Sequence, residues 1–266
     1  MKRGLFVAFC ILALSSLSLL ISAAPGNAAY SGYSHMVYPI QNTVTFDGKW
    51  TSDAEWTDGT STSFGTNSVF VSKWGPYGSE TSVPQYFLIE ILNDATNDEN
   101  DYWQICFDGD MSGGTAPGAN DLLINIGGHG TNVTFYQGTG TGWASMATPS
   151  AANFQWKDSI SSSPKSSTPH WICEIMINKP VLNVGAQYWA RVAVNDAGGA
   201  GVQAWPPTSR DVPSDWGDFP YSGDAIPESL TFGIVALLSS VAVVASFYLL
   251  RKHPETQGSS AKLSAY

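Results

Sequence analysis

Basic residues are scarce in this 266-residue chain, where 12 Lys and Arg stand against 22 Asp and Glu for a formal charge of −10. The shortage is sharper from Tyr30 to Glu228, where seven basic residues face 21 acidic ones, a formal charge of −14 (7 − 21). A phosphate backbone needs clustered Lys and Arg, so nucleic acid and other polyanions are excluded as ligands. Cysteine is nearly missing as well, with three in all. No long stretch outside the two ends carries a helical period, which excludes a helical bundle. Also missing are a Ser-His-Asp pattern, an HExxH, a Gly-rich phosphate loop and a C-x-x-C-H haem attachment site. Glu90 and Glu174 lie on strands, and two strand glutamates do not define a catalytic pair. The expectation is a protein that is not an enzyme.

What is present begins at the ends. Residues 1–29 read as a signal peptide, with Lys2 and Arg3 ahead of the apolar run Leu5–Ile21 and cleavage after Ala28 or Ala29. Leu230–Leu250 is apolar and uncharged, and Arg251-Lys252-His253 closes it on the cytoplasmic side. At about 1.5 Å per residue it spans roughly 30 Å, one bilayer crossing. The expected organisation is a signal peptide over 1–29, an extracellular domain with stalk over 30–224, a single-pass membrane anchor over 225–253 and a cytoplasmic tail over 254–266. Ile226-Pro227-Glu228, the span and its basic end resemble the C-terminal anchoring tails of archaeal cell-surface proteins.

The region between is all β in pattern. Val69–Trp74, Gln85–Leu92, Tyr102–Phe107, Asp121–Ile126, Asn132–Tyr136, Trp171–Ile177, Tyr188–Asn195 and Val202–Trp205 alternate or run apolar between turn residues, and Thr43–Phe46 makes a shorter strand. Ser52 to Glu55 has capping-box spacing and predicts one helical turn. Ser61–Asn67, Gly138–Ala152 and Ser159–Pro169 read as loops, and Pro206–Asp224 as a stalk. An antiparallel β-sandwich, jelly-roll-like, follows from many short strands with almost no helix. Cys106 and Cys173 are expected to form a disulfide in an oxidising compartment, two buried thiols being the alternative. Asn132-Val133-Thr134 is a glycosylation sequon at a strand start.

The order of pieces resembles the family 9 carbohydrate-binding-module-like domains and the wider superfamily that holds DOMON-type domains. The pieces are DGKWTSDAEW (47–56), YWQICFDGD (102–110), WICEIMINKPVL (171–182), YWARVAVND (188–196) and AWPP…DWGDF (204–219), covering about residues 43–219. The resemblance implies a binding module that is often calcium-stabilised. A sugar site in such a module uses aromatic faces and a few polar groups, and the loop candidates are Trp74, Tyr77, Trp205, Arg210 and Trp216. Packing at the sandwich edge is the competing role for Trp205 and Trp216. For calcium, Asp108, Asp110, Asn120 and Asp121 supply oxygen ligands around a Gly-rich loop, with plain turn formation as the alternative. Haem is not expected as the cofactor. The partner expected is a neutral glycan or cell-surface component, with homo-oligomers allowed. The alternatives are a self-assembling surface-layer subunit and a haem-carrying electron-transfer domain with axial ligands from His35, His129, His170 or the methionines.

Overall fold

Alternating apolar side chains build thirteen strands among the residues that the computed structural model describes, which are 32–75, 83–130, 132–182, 184 and 187–222. The expected signal peptide over 1–29, Tyr77, the apolar stretch 230–250 and the expected tail over 254–266 lie outside them. Among the described residues no helix is long and apolar enough to cross a membrane.

One sheet joins β1 (Tyr38–Pro39), β3 (Ser68–Trp74), β4 (Pro84–Ile91), β10 (Ser166–Asn178) and β9 (Phe154–Ser163) in that order, and β2 (Thr60–Phe64) also pairs with β3. The other runs β12 (Gly201–Trp205), β11 (Gln187–Asp196), β5 (Tyr102–Asp108), β6 (Asp121–Gly127), β7 (Asn132–Gly138) and β8 (Trp143–Met146), and β13 (Gly217–Pro220) also pairs with β11. All pairings between these strands are antiparallel except the short β1–β3 contact. A four-residue helix, α1 (Lys179–Leu182), follows β10. The inner faces meet in one core, with Phe70, Phe87, Ile89 and Ile175 from the first sheet against Trp103, Ile105, Phe107, Ile124 and Val192 from the second. Burial of each such side chain contributes about 1.5–3 kcal/mol.

Each sheet's outer face is covered by a segment the sequence suggested would be something else. Thr43–Phe46 forms no strand, because nearby carboxylates take the amides of its segment. Glu55 accepts from the amides of Thr45 and Thr51, Asp58 from Gln41 and Asn42, and Glu174 from Asp47 and Gly48. Lys73, wholly buried on β3, donates to Asp58 at 2.8 Å and to the carbonyls of Asn42 and Glu55. The expected helical turn at 52–55 is a run of turns, with the Glu55 amide on the Ser52 carbonyl. On the other sheet the described part of the expected stalk Pro206–Asp224, residues 206–222, crosses the outer face, buries Trp216 against Cys106, Leu123 and Trp189, and returns as β13. Ser61–Asn67 supplies β2 and Ser159–Pro169 the β9–β10 hairpin, polar strands that a sheet edge accepts.

The expected disulfide is not formed, and both cysteines are free and buried. Cys173 points into the central core with Ile175 and Ile177, whereas Cys106 lies on the outer face of the opposite sheet. Strand side chains alternate faces, so a layer of sheet separates the two thiols. Burial pushes the Cys106 thiol up to about 12.

Candidate functional site

Strand β12 pairs with β11 so that Trp205 stands opposite Val192 and faces inward, while Val202 stands outward and is 60% exposed. At its end the two sheets part in a recess of about 450 Å³ lined by Tyr33, Ser63, Phe64, Gly65, Thr66, Val202, Gln203, Trp205 and Pro207, with Ala200 and Ala204. The Trp205 ring is 8% exposed and meets Tyr33 edge-on at 5.8 Å, with Phe70 and Phe219 behind it. Gln203 fixes one wall. Its side-chain oxygen accepts from the amides of Thr66 (2.6 Å) and Asn67 (3.1 Å), and its amide donates to Asn67 Oδ1. Gly65 turns there at φ +58°, and a Cβ on it would fall 2.2 Å from the Gln203 oxygen. No side chain lining the recess is charged.

The other proposed sugar contacts lie apart from this recess. Trp74 is half-buried at the end of β3, where its indole donates to the Ser222 carbonyl at 3.3 Å and its ring tilts onto Tyr221. Trp216 is fully buried, donates to the Ser209 carbonyl and lies parallel to Trp143 at 6.4 Å. Arg210 is on the surface beside Asp211, 3.6 Å away. Tyr33 and Val202 were missed by sequence reasoning, since neither belongs to an aromatic or polar pattern. A second recess of about 530 Å³ opens among Phe46, Val133, Pro149, Phe154, Trp156 and Lys157.

The four candidate calcium ligands do come together. Asp108 and Asp121 are register partners on β5 and β6, and with Asp110 they offer oxygens within 4.8 Å of one another. Asn120 donates to Asp110 at 2.6 Å. Asp108 accepts from the amides of Ser112 and Gly113, and Asp121 Oδ2 from Gly118. Asp121 Oδ1 is buried without a hydrogen-bond partner. Burial pushes the Asp108 carboxyl up to about 6 and, with the Asp108 charge adding, that of Asp121 to about 7. Against desolvation, hydrogen bonds from Asn120 and Ser112 hold the Asp110 carboxyl below its ordinary value, and an all-oxygen set of this kind suits a hard divalent cation.

His35 and His170 have both ring nitrogens engaged, His35 with Thr62 and Ser72, and His170 with Glu90 and the Thr168 carbonyl. Burial drives the His35 ring down to about 3.

No family model and no curated protein matches this chain. Among solved structures, the chain is similar to a family 9 carbohydrate-binding module from Caldicellulosiruptor kristjanssonii in complex with glucose, at 15% identity and TM-score 0.48, over 71% of this chain and 97% of that one. The same organism's module with cellotriose gives 14% identity and TM-score 0.45, over 73% and 96%. A putative carbohydrate-binding protein from Bacteroides uniformis gives 8% identity and TM-score 0.48, over 71% and 99%.

Proposed function

We propose that this chain is an exported module, held to the cell membrane by residues 225–253, that binds a neutral carbohydrate in the recess between β2 and β12 and holds calcium at Asp108, Asp110, Asn120 and Asp121. The carrying observation is the lining of that recess. In a domain with a formal charge of −14, it presents Tyr33, Phe64, Val202 and Trp205 together with Ser63, Thr66 and Gln203, and no charged side chain. A sugar has apolar C–H faces and hydroxyls at its rim. Aromatic and aliphatic walls cover the first, and hydroxyl and amide groups take the second. A recess of about 450 Å³ falls in the range of small-ligand sites, roughly 300–1,000 Å³. No His, Cys, Lys or carboxylate lines it to act as a general base or to activate the hydroxyls of Ser63 and Thr66, so the reading is binding rather than catalysis. Asn132 is exposed at the start of β7 and would carry a glycan.

The test is affinity electrophoresis or a glycan array with the full chain. Tyr33→Ala and Val202→Arg are expected to weaken binding about tenfold or more without unfolding the protein, since both side chains are exposed. Trp156→Ala, in the other recess, is expected to leave binding unchanged. Loss of binding in Trp156→Ala alone would move the site, and a chain that polymerises without binding any carbohydrate would replace this reading with an assembly role.

A further inference from the structure

At the opposite end of β5 from the calcium candidates, two loops, β4–β5 and β6–β7, converge to present a different set of donors. Asp94 follows β4, Asp101 immediately precedes β5, and His129 lies in the turn between β6 and β7. One oxygen from each carboxylate and a ring nitrogen of His129 lie within 4.8 Å of one another. All three side chains are withdrawn from solvent. Asp94 is 5% exposed, and the side chains of Asp101 and His129 are 0% and 1% exposed.

The imidazole is held in a fixed orientation. It stacks flat on Trp171 at 3.6 Å and 4°, with Trp103 edge-on at 5.7 Å. Its Nδ1 meets Asp158 Oδ2 at 3.2 Å, an oxygen that also accepts from the Trp103 indole. A carboxylate only accepts, so Nδ1 carries a hydrogen, and Nε2 is the ring nitrogen turned to Asp94 and Asp101. His129 Nε2 and Asp94 Oδ2 are both buried and neither has a hydrogen-bond partner. His129 is the one basic side chain in ion-pair contact with Asp101 and Asp158 among the described residues, and none contacts Asp94. Two carboxylates converging on one imidazole nitrogen away from water are stabilised by a cation held between them.

We propose that Asp94, Asp101 and His129 form a site for a divalent transition metal, zinc foremost, with Asp158 as the positioning residue behind the imidazole. Nε2 stands 3.4 Å from Asp101 Oδ2. Two ligand atoms about 2.0–2.1 Å from a tetrahedral ion are separated by roughly 3.4 Å, which is the spacing observed. The arrangement carboxylate, histidine, ion is the usual support of a metal-bound imidazole. Nitrogen in the donor set separates this site from the all-oxygen cluster at Asp108, because calcium takes oxygen ligands and imidazole suits zinc. Three protein ligands leave a fourth position to water. The ion would tie the β4–β5 loop to the β6–β7 turn at this end of the sandwich.

The experiment titrates the chelator-treated full chain with cobalt(II), whose visible spectrum reports tetrahedral nitrogen and oxygen coordination, and then displaces it with zinc. One equivalent is expected to bind to the wild-type chain. His129→Ala should abolish the cobalt bands, and Asp158→Asn should weaken binding about 10–100-fold. Asp94→Asn keeps the shape of the side chain and should also lose at least about tenfold, with circular dichroism confirming the fold. Asp53→Asn, at an exposed carboxylate outside both clusters, should bind cobalt as the wild type does. Unchanged binding in the His129 and Asp94 variants would overturn the proposal, and so would displacement of cobalt by calcium. A nitrogen-15 spectrum showing His129 protonated at Nε2 in excess zinc would also overturn it, since a proton would then hold the two carboxylates together.

Discussion

Strand β5 carries an acidic cluster at each end, roughly 23 Å apart at about 3.3 Å per residue, and the two are assembled differently. The Asp108 end is local. Asp108, Asp110, Asn120 and Asp121 all belong to the β5–β6 connection, and register alone sets Asp108 beside Asp121. The Asp101 end gathers side chains from both ends of the β4–β5 loop and from the β6–β7 turn, and adds Asp158 from β9. The first cluster is rich in oxygen and partly open, with Asp110 at the surface. The second is enclosed, contains an imidazole and rests on tryptophan rings. Local assembly gives a site that can be loaded or emptied with little disturbance elsewhere, whereas long-range assembly makes ligand geometry and fold stability depend on the same residues.

The contrast yields a graded set of expectations, the largest at the enclosed end. Asp101→Ala removes the acceptor of the Asp98 amide (2.7 Å) and the Ala197 amide (2.8 Å). Stranding such donors costs about 1–3 kcal/mol each, so denaturant unfolding should show a loss of about 3 kcal/mol or more. Next comes calcium at the open end. At a hundred times its dissociation constant it should raise wild-type stability by about 2.7 kcal/mol, and Asp121→Asn should remove most of that gain in a thermal melt. Close packing separates the ends again. A Cβ on Gly199 would fall 2.4 Å from a carboxylate oxygen of Asp196, so Gly199→Ala should cost about 1–3 kcal/mol.

The pH dependence of the metal-free chain follows from the open end and from Glu174, whose carboxyl is pushed by burial to about 7. Asp108 and Asp121 stand at about 6 and about 7, above the ordinary aspartate value of 3.8. Raised carboxyl values mean that the folded chain binds more protons than the unfolded one within that window. Stability is therefore fully present below the window and lost as pH rises through about 7. Melting temperature should fall between acid and neutral pH. Asp121→Asn should flatten the slope and leave the part due to Glu174. The smallest effect is expected at Gly118, where a Cβ would meet Asp121 Oδ2 at an ordinary 3.8 Å. Gly118→Ala should stay within about 0.5 kcal/mol of wild type by denaturant titration.

Much of this was legible from residues alone, for a physical reason that also marks where it stopped. A side-chain period of two is a local property, so the apolar runs at 69–74, 85–92, 102–107, 121–126, 171–177, 188–195 and 202–205 identified their strands. The same locality made the Asp108 cluster readable, since a hairpin brings its own ends together. Polar edge strands such as β2 carry no such signal, because solvent tolerates one side of them. Trp216 could not be distinguished from a surface tryptophan, because its burial depends on the closing segment folding across the opposite sheet.

The two cysteines draw the line most clearly. Sequence set each in a strand and left two outcomes, an expected disulfide or a pair of buried thiols, of which the structure shows the second. Which face each turned to, and which sheet each strand joined, was decided only when the sheets packed, and it set the thiols on opposite sides of a layer. The same holds for His129. Its turn was readable, but its Nε2 meets Asp94 and Asp101 only because β4, β5 and the β6–β7 turn end at the same corner of the sandwich. Local spacing determines which strands form and which hairpin neighbours touch; tertiary packing decides which distant groups share a buried space.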